Sequence, residues 1–281
     1  MGYVGGQALI EGVMMKGDKY IARAVYSPSH NLIIDKKPFI SFSDKYKFFK
    51  LPILRGFIAL LEMMIIGMKS LLYSMNLSSV KEEQLSKKDM TSSLIISFLI
   101  AIGLFVVIPA TAFSFLKNSG LVTSVLGLNL IEGLFRTSIF IVFLISTLFM
   151  DDMNRMYQYH GAEHKAVNAY EDNSELTIEN VEKYSTIHLR CGTTFLMVVL
   201  IVSILVFSIL GRPDLLNRII LKLLLFPLIS GISYEIIRLA VRFKKIYFLL
   251  LWPGLLMQKI TTKEPDKSQM FAAISALKEV I

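Results

Sequence analysis

Two histidines in YHGAEHKAVNAYE, His160 and His164, are four residues apart, and a third, His188, follows in HLRCG three residues before the chain's single cysteine, Cys191. If the first stretch is helical, His160 and His164 share one face, a spacing at which two imidazoles bind one metal ion. Glu163 completes an H-x-x-E-H string, in which the histidines hold zinc and the glutamate activates water. A third ligand is needed, and His188 and Cys191 offer nitrogen and thiolate donors that zinc accepts. Both together would close a tetrahedral, structural site; one alone would leave a position open for catalysis. The plainer reading is that paired histidines lie on a surface or hydrogen-bond within a core, with Glu163 solvated beside Lys165. Glu171, seven beyond His164, falls on roughly the same face.

Other ionisable residues stand in apolar surroundings. Glu235, in ISYEIIR, either pairs with Arg238 or serves as a catalytic carboxylate or distal ligand reaching the metal from the membrane interface. Glu132 and Arg136 are four apart and can neutralise each other on one helical face. Glu11, between glycines in QALIEGVMM, is either a ligand-approaching carboxylate or a turn residue, and His30 in SPSHN is an exposed turn residue. Segment 151–191 carries eight carboxylates against four cations, so it attracts a cation more readily than a phosphate-rich ligand.

The elements that must position these groups are membrane helices. The 281 residues are 54% hydrophobic and 19% charged, with a mean hydropathy of +0.57, which excludes a disordered or ordinary soluble chain. A net charge of +8 in so apolar a chain marks membrane-flanking Lys and Arg, and no patterned nucleic-acid-binding motif accompanies it. One cysteine excludes a disulfide framework. Ser92–Leu116 and Gly192–Gly211 run without a charge for 25 and 20 residues, enough to cross the hydrocarbon core. Asn129–Met150 crosses with its internal ion pair, and Ile219–Val241 crosses despite Lys222, Glu235, Arg238 and the interruption at Pro227 and Gly231.

Leu51–Met75 is apolar on most faces, yet Arg55, Glu62 and Lys69 recur every seven residues as one polar stripe, which favours an interfacial or partly inserted helix. Ile246–Gln258, with Pro253 and Gly254 inside it, is too short to span and reads as a re-entrant or interfacial turn. The fold expected is therefore a mainly α-helical polytopic membrane protein, with about four transmembrane helices and a small N-terminal cytoplasmic β element. Its parts are the β-rich residues 1–50, the amphipathic helix 51–75, a transmembrane hairpin 92–150, the His/Cys segment 151–191, a second hairpin 192–241, and an interfacial turn with a tail, 242–281. Asn76–Asp89 is a charged connector, and the tail after Pro265 is an amphipathic helix. Four spans leave only short outer loops near Lys117 and near Arg212 and Arg218. The positive-inside rule then places both termini and segment 151–191 in the cytoplasm of a bacterial inner membrane.

The chain resembles a bacterial family of unknown function, the DUF1385 or YqhQ-like proteins. The resemblance rests on GGQALIEGVMMKG at 5–17, LRGF near Arg55, YHGAEHKAVNAYE at 159–171, HLRCGTTF at 188–195, ISYEIIR at 232–238 and PGLLMQKITTKEPD at 253–266, in that order. It implies an integral membrane protein catalogued as a predicted metal-dependent enzyme, with a metal site on His160, Glu163, His164, His188 and Cys191. The string is also analogous to that of inverted zinc peptidases, whose third ligand is a downstream glutamate, a role in which Glu235 could be cast.

These residues lead to the expectation of a divalent metal, zinc, in a membrane-embedded hydrolase with its site on the cytoplasmic face. Glu163 would assist deprotonation of water, which attacks a peptide, ester or lipid-derived bond. The rival is a non-enzymatic assembly or interaction factor with a structural metal, whose partner is another membrane protein such as protein-insertion machinery. A transporter ranks last, since no inverted repeat accompanies the intramembrane charges. The partners expected are the lipid bilayer, such a membrane protein and further copies of the chain, and no nucleic acid.

Overall fold

A computed structural model describes residues 4–79, 87–211 and 213–281. Four antiparallel strands form a meander, β1 (Gly5–Leu9), β2 (Gly12–Lys16), β3 (Tyr20–Tyr26) and β4 (Leu32–Pro38), in the order β1-β2-β3-β4. Pairing of Leu9 with Gly12 leaves a two-residue turn in which Glu11 adopts φ 52°. Its carboxylate is a turn anchor: it accepts from Arg155 Nη2 at 2.7 Å and from the Tyr159 hydroxyl at 3.2 Å. Burial pushes the Tyr159 hydroxyl's pKa upward, and the neighbouring Glu11 charge adds to this.

A short helix α1 (Phe42–Lys45) and a 3-10 turn (Lys47–Lys50) lead into α2 (Leu54–Ser78). Helix α3 (Lys87–Ile102) continues through a π turn (Gly103–Val107) into α4 (Ile108–Ser119), and α5 (Val125–Thr147) returns. Then come α6 (Asp151–Glu171), α7 (Ile178–Val181), α8 (Gly192–Ile209), α9 (Leu215–Arg242), α10 (Lys244–Thr261) and α11 (Lys267–Lys278). The last begins with a capping box, in which Asp266 and Gln269 satisfy each other's backbone N–H groups. Five helices are long and apolar enough to cross a membrane: Leu54–Ser78, Thr91–Ser119, Val125–Thr147, Gly192–Ile209 and Leu215–Ala240. The chain is thus mostly helical with a small N-terminal sheet. Part of the charged connector, 80–86, and Arg212 lie outside the described residues.

The central strands β2 and β3 are buried on both faces, while β4 is largely exposed. Because side chains alternate along a strand, Val13 and Met15 meet Ala162, Ala166, Ile274 and Leu277 of α6 and α11, while Leu9, Met14 and Val25 meet Ile66 of α2. Two groups of the polar stripe on α2 are consumed inside the protein. Arg55 donates twice to Glu235 on α9, at 2.6 and 2.5 Å, and buried Glu62 accepts from Ser41 Oγ and from the Phe42 backbone. Further along α2, Ser70 accepts from Arg23 at 2.8 Å and Ser74 from the Ile10 backbone at 3.2 Å. The N-terminal turns of α2 therefore pack on α9, whereas its C-terminal half lies beneath the sheet.

The stretch 246–258, expected as a turn, is part of one continuous helix, α10. Pro253 removes one backbone donor, but Gly254 compensates through packing. A Cβ there would stand 2.6 Å from Thr194 Cα, so only glycine lets α10 close on α8. Arg218, expected near an outer loop, lies inside α9 and is fully buried. It stacks 3.3 Å from the Phe113 ring centroid and donates to Asn129 Oδ1 at 2.5 Å and to Glu132. The expected Glu132–Arg136 pair is present at 3.1 Å, and Lys222 also reaches Glu132.

Candidate metal centre

Helix α6 presents His160 and His164 on one face, their ring centroids 4.4 Å apart. Each Nδ1 faces a backbone carbonyl: His160 faces Thr261 at 2.8 Å and His164 faces Thr186 at 2.5 Å. A carbonyl only accepts, so both Nδ1 atoms carry a proton, and in the neutral ring it is Nε2 that keeps the lone pair. This is how metal-binding imidazoles are oriented.

The carbonyls are fixed from both sides. Asn168, one turn beyond His164, donates to Ser185 and Ile187 carbonyls at 2.9 and 3.1 Å. From α10, Gln258 accepts from the His188 N–H at 2.9 Å and donates to the His188 carbonyl and Thr194 Oγ1, both at 2.8 Å. The sequence reading missed Asn168, Thr186, Gln258 and Thr261. Two signals were legible: Asn168 repeats the four-residue step of the histidines, and Gln258 is an uncharged polar residue ending the apolar run after Pro253.

Cys191 is the N-cap of α8, and its Sγ accepts from the Thr193 N–H at 3.4 Å, in the partly positive field of a helix N-terminus. His160 Nε2 lies 3.3 Å from Sγ. Sγ also donates to Thr193 Oγ1 at 3.5 Å, and a metal ion would replace the thiol proton. Ligand atoms of His160, His164 and Cys191 all lie within 4.8 Å of one another, the one such His/Cys/carboxylate grouping among the described residues. The residues present fit zinc, whose bonds to nitrogen and sulfur of about 2.0–2.3 Å bring tetrahedral ligands this close together.

Glu163 is buried, with Oε2 3.5 Å from His164 Nε2. A lone pair and a carboxylate oxygen repel at that distance unless a proton or cation lies between them. Desolvation pushes the Glu163 pKa upward, opposed by the neighbouring His160 and His188 and by the Gly6 backbone N–H, and it pushes that of His164 downward. His188 stands beside the three-atom grouping rather than within it: its ring is 5.7 Å from that of His164, and its Nε2 is 3.4 Å from Glu171 Oε1, which also meets Arg190. Burial lowers the His188 pKa. Glu235 does not join the cluster, because both of its oxygens are held by Arg55. The carboxylate beside the histidines comes from α6 itself.

Gly161 sets how close the ligand-bearing helix comes to the chain after α10. A Cβ there would sit 2.0 Å from the Lys263 carbonyl, in a contact already fixed by the Lys263 N–H donating to the Tyr157 carbonyl at 3.0 Å. Gly161→Ala is expected to cost about 1–3 kcal/mol through overpacking and to move the Thr261 carbonyl away from His160. A lowered unfolding midpoint in detergent, with weaker metal retention, is the result to look for.

The family profile described as "Protein of unknown function (DUF1385)" matches residues 51–281. The chain belongs to this family. It is similar to "Uncharacterized protein YqhQ" of Bacillus subtilis (strain 168), with 32% identity over 99% of this chain and 92% of that protein. No solved structure matches the chain. Neither description names a metal or an activity, so the metal-dependent enzyme implied by the resemblance has no support from them.

Proposed function

We propose that this chain is a multi-pass protein of a bacterial cytoplasmic membrane that binds zinc through His160, His164 and Cys191 on the cytoplasmic face and hydrolyses a substrate there. The observation that carries the reading is the pair of imidazoles with both Nδ1 atoms committed to carbonyls, one ligand atom of each grouped with the cysteine sulfur within 4.8 Å of one another, and His160 Nε2 3.3 Å from that sulfur. Three protein donors leave a tetrahedral ion one open position, the pattern of a catalytic site. When bound, zinc would supply Lewis-acid polarisation of an oxygen at that position. Thr186 and Thr261 hold the imidazoles in orientation. Glu163, shielded from water and with a raised proton affinity, accepts a proton and returns it to the leaving group.

The contacts between elements support a topology for this reading. The sheet, α6 and α11 share one core, so they lie on one side of the membrane and an even number of crossings separates each from the next. Thr91–Ser119 and Val125–Thr147 supply two crossings before α6, and Gly192–Ile209 and Leu215–Ala240 supply two after it. Helix α2 is then the apolar helix that does not cross, in keeping with its cover by the sheet. Both termini fall on the side of α6, which the positive-inside rule makes cytoplasmic.

A second reading, a structural metal in a factor that assembles or inserts other membrane proteins, is favoured by burial: His164 is 1%, Glu163 5% and Cys191 6% exposed. X-ray absorption on zinc-loaded full-length protein separates the two. Two nitrogens, one sulfur and a light oxygen donor support the hydrolase. A closed set including His188 supports the structural site, and absence of zinc in the purified protein defeats both. Under the hydrolase reading, Glu163→Gln is expected to keep stoichiometric zinc while losing roughly 100-fold or more in turnover, measured on whichever ester or peptide substrate the wild type cleaves.

A further inference from the structure

The segment between the sheet and α2 exposes large apolar side chains that belong to none of the long apolar helices. Ile40 is 78% exposed, Phe48 66%, and Phe42 and Leu51 50% each, all outside the five apolar helices. Exposed apolar side chains grouped in this way mark a contact. The backbone beneath is held in place. Buried Glu62 accepts from Ser41 Oγ at 2.9 and 3.0 Å and from the Phe42 N–H, and Ser43 Oγ donates to the Phe49 carbonyl at 3.4 Å. The apolar groups therefore belong to a built surface, fastened to α2 from behind.

Charge identifies what covers that surface. Lys45, Lys47 and Lys50 interleave with the aromatic residues, and the one acidic residue among 40–53 is Asp44, which pairs with Lys50 at 3.3 Å. Phenylalanine and leucine between lysines fit the boundary of an anionic bilayer, where rings enter the acyl region and ammonium groups meet phosphates. We propose that residues 40–53 form an interfacial anchor that docks on anionic phospholipid headgroups and sets the depth at which α2 and the sheet lie on the membrane. The inference rests on the multi-pass membrane reading, and its occupant is the leaflet on the side of the sheet. A protein partner would not require the lysines to face phosphates, and the test separates the two occupants.

The test uses full-length protein in which Trp252→Phe removes the single tryptophan and Phe48→Trp reports from the exposed position. It is reconstituted into phosphatidylcholine vesicles with and without phosphatidylglycerol. Flotation with the vesicles reports insertion, so failure to float counts against the membrane reading itself. In floated protein, the introduced tryptophan is expected to be quenched by lipids brominated near the headgroup and shielded from aqueous iodide when phosphatidylglycerol is present. Lys45→Gln, Lys47→Gln and Lys50→Gln should each weaken that partition by roughly fivefold. Iodide access undiminished by phosphatidylglycerol, or bromolipid quenching unchanged by all three substitutions, overturns the anchor.

Discussion

His164→Ala is expected to lower zinc affinity by more than roughly 100-fold, beyond the loss that follows removal of an outer-sphere partner. The side chain is 1% exposed and its Nδ1 donates to the Thr186 carbonyl, so alanine removes a ligand and also leaves that buried carbonyl without its donor. Wild-type protein stripped by a chelator separates the two effects. If zinc contributes to folding, stripped protein and His164→Ala should unfold at similar, lowered temperatures, and added zinc should restore only the wild type. His188→Ala should keep most of the zinc, because His188 lies outside the three-atom grouping. Equal zinc loss in both variants would return His188 to the ligand set and close the site.

Glu132→Gln is the substitution expected to cost most in stability. Among the described residues Glu132 is the one carboxylate paired with Arg136, Arg218 and Lys222, and Arg218 and Glu132 side chains are 1% and 3% exposed. Glutamine keeps the shape but leaves three buried cations without an anion, a change that costs about 3–5 kcal/mol when a buried pair is broken from one side. The readout is the fraction of folded protein surviving heating in detergent. Glu235→Gln is the control, since its pair with Arg55 is partly exposed, at 19% and 29%, and is expected to cost about 1 kcal/mol or less. A loss at Glu132 no larger than at Glu235 would mean that the buried cations are solvated or neutralised by other means.

Local pattern carried much of this protein. Two uncharged runs of 20 residues or more and two apolar runs with few charges admit few states besides apolar helices, so four of the five helices long enough to cross were legible, and the alternation of the first residues around glycines announced the sheet. The histidine spacing announced the face of α6, because a four-residue step is a property of the helix itself. Partners distant in sequence are different in kind. Arg55 meets Glu235 across 180 residues and Arg218 meets Glu132 across 86, and nothing in their own neighbourhoods distinguishes these from nearer candidates such as Arg238. The same holds within the histidine–cysteine cluster: which of His188 and Cys191 approaches His160 depends on where Asn168 and Gln258 pin the loop between them. The sequence by itself determined the apolar helices, the small sheet and the two-histidine face. Tertiary structure alone decided that α10 continues through Pro253 and Gly254, that α2 lies under the sheet, and that sulfur rather than a distant carboxylate completes the cluster. The first set depends on periodicities a few residues long, and the second on packing that brings together segments tens to hundreds of residues apart.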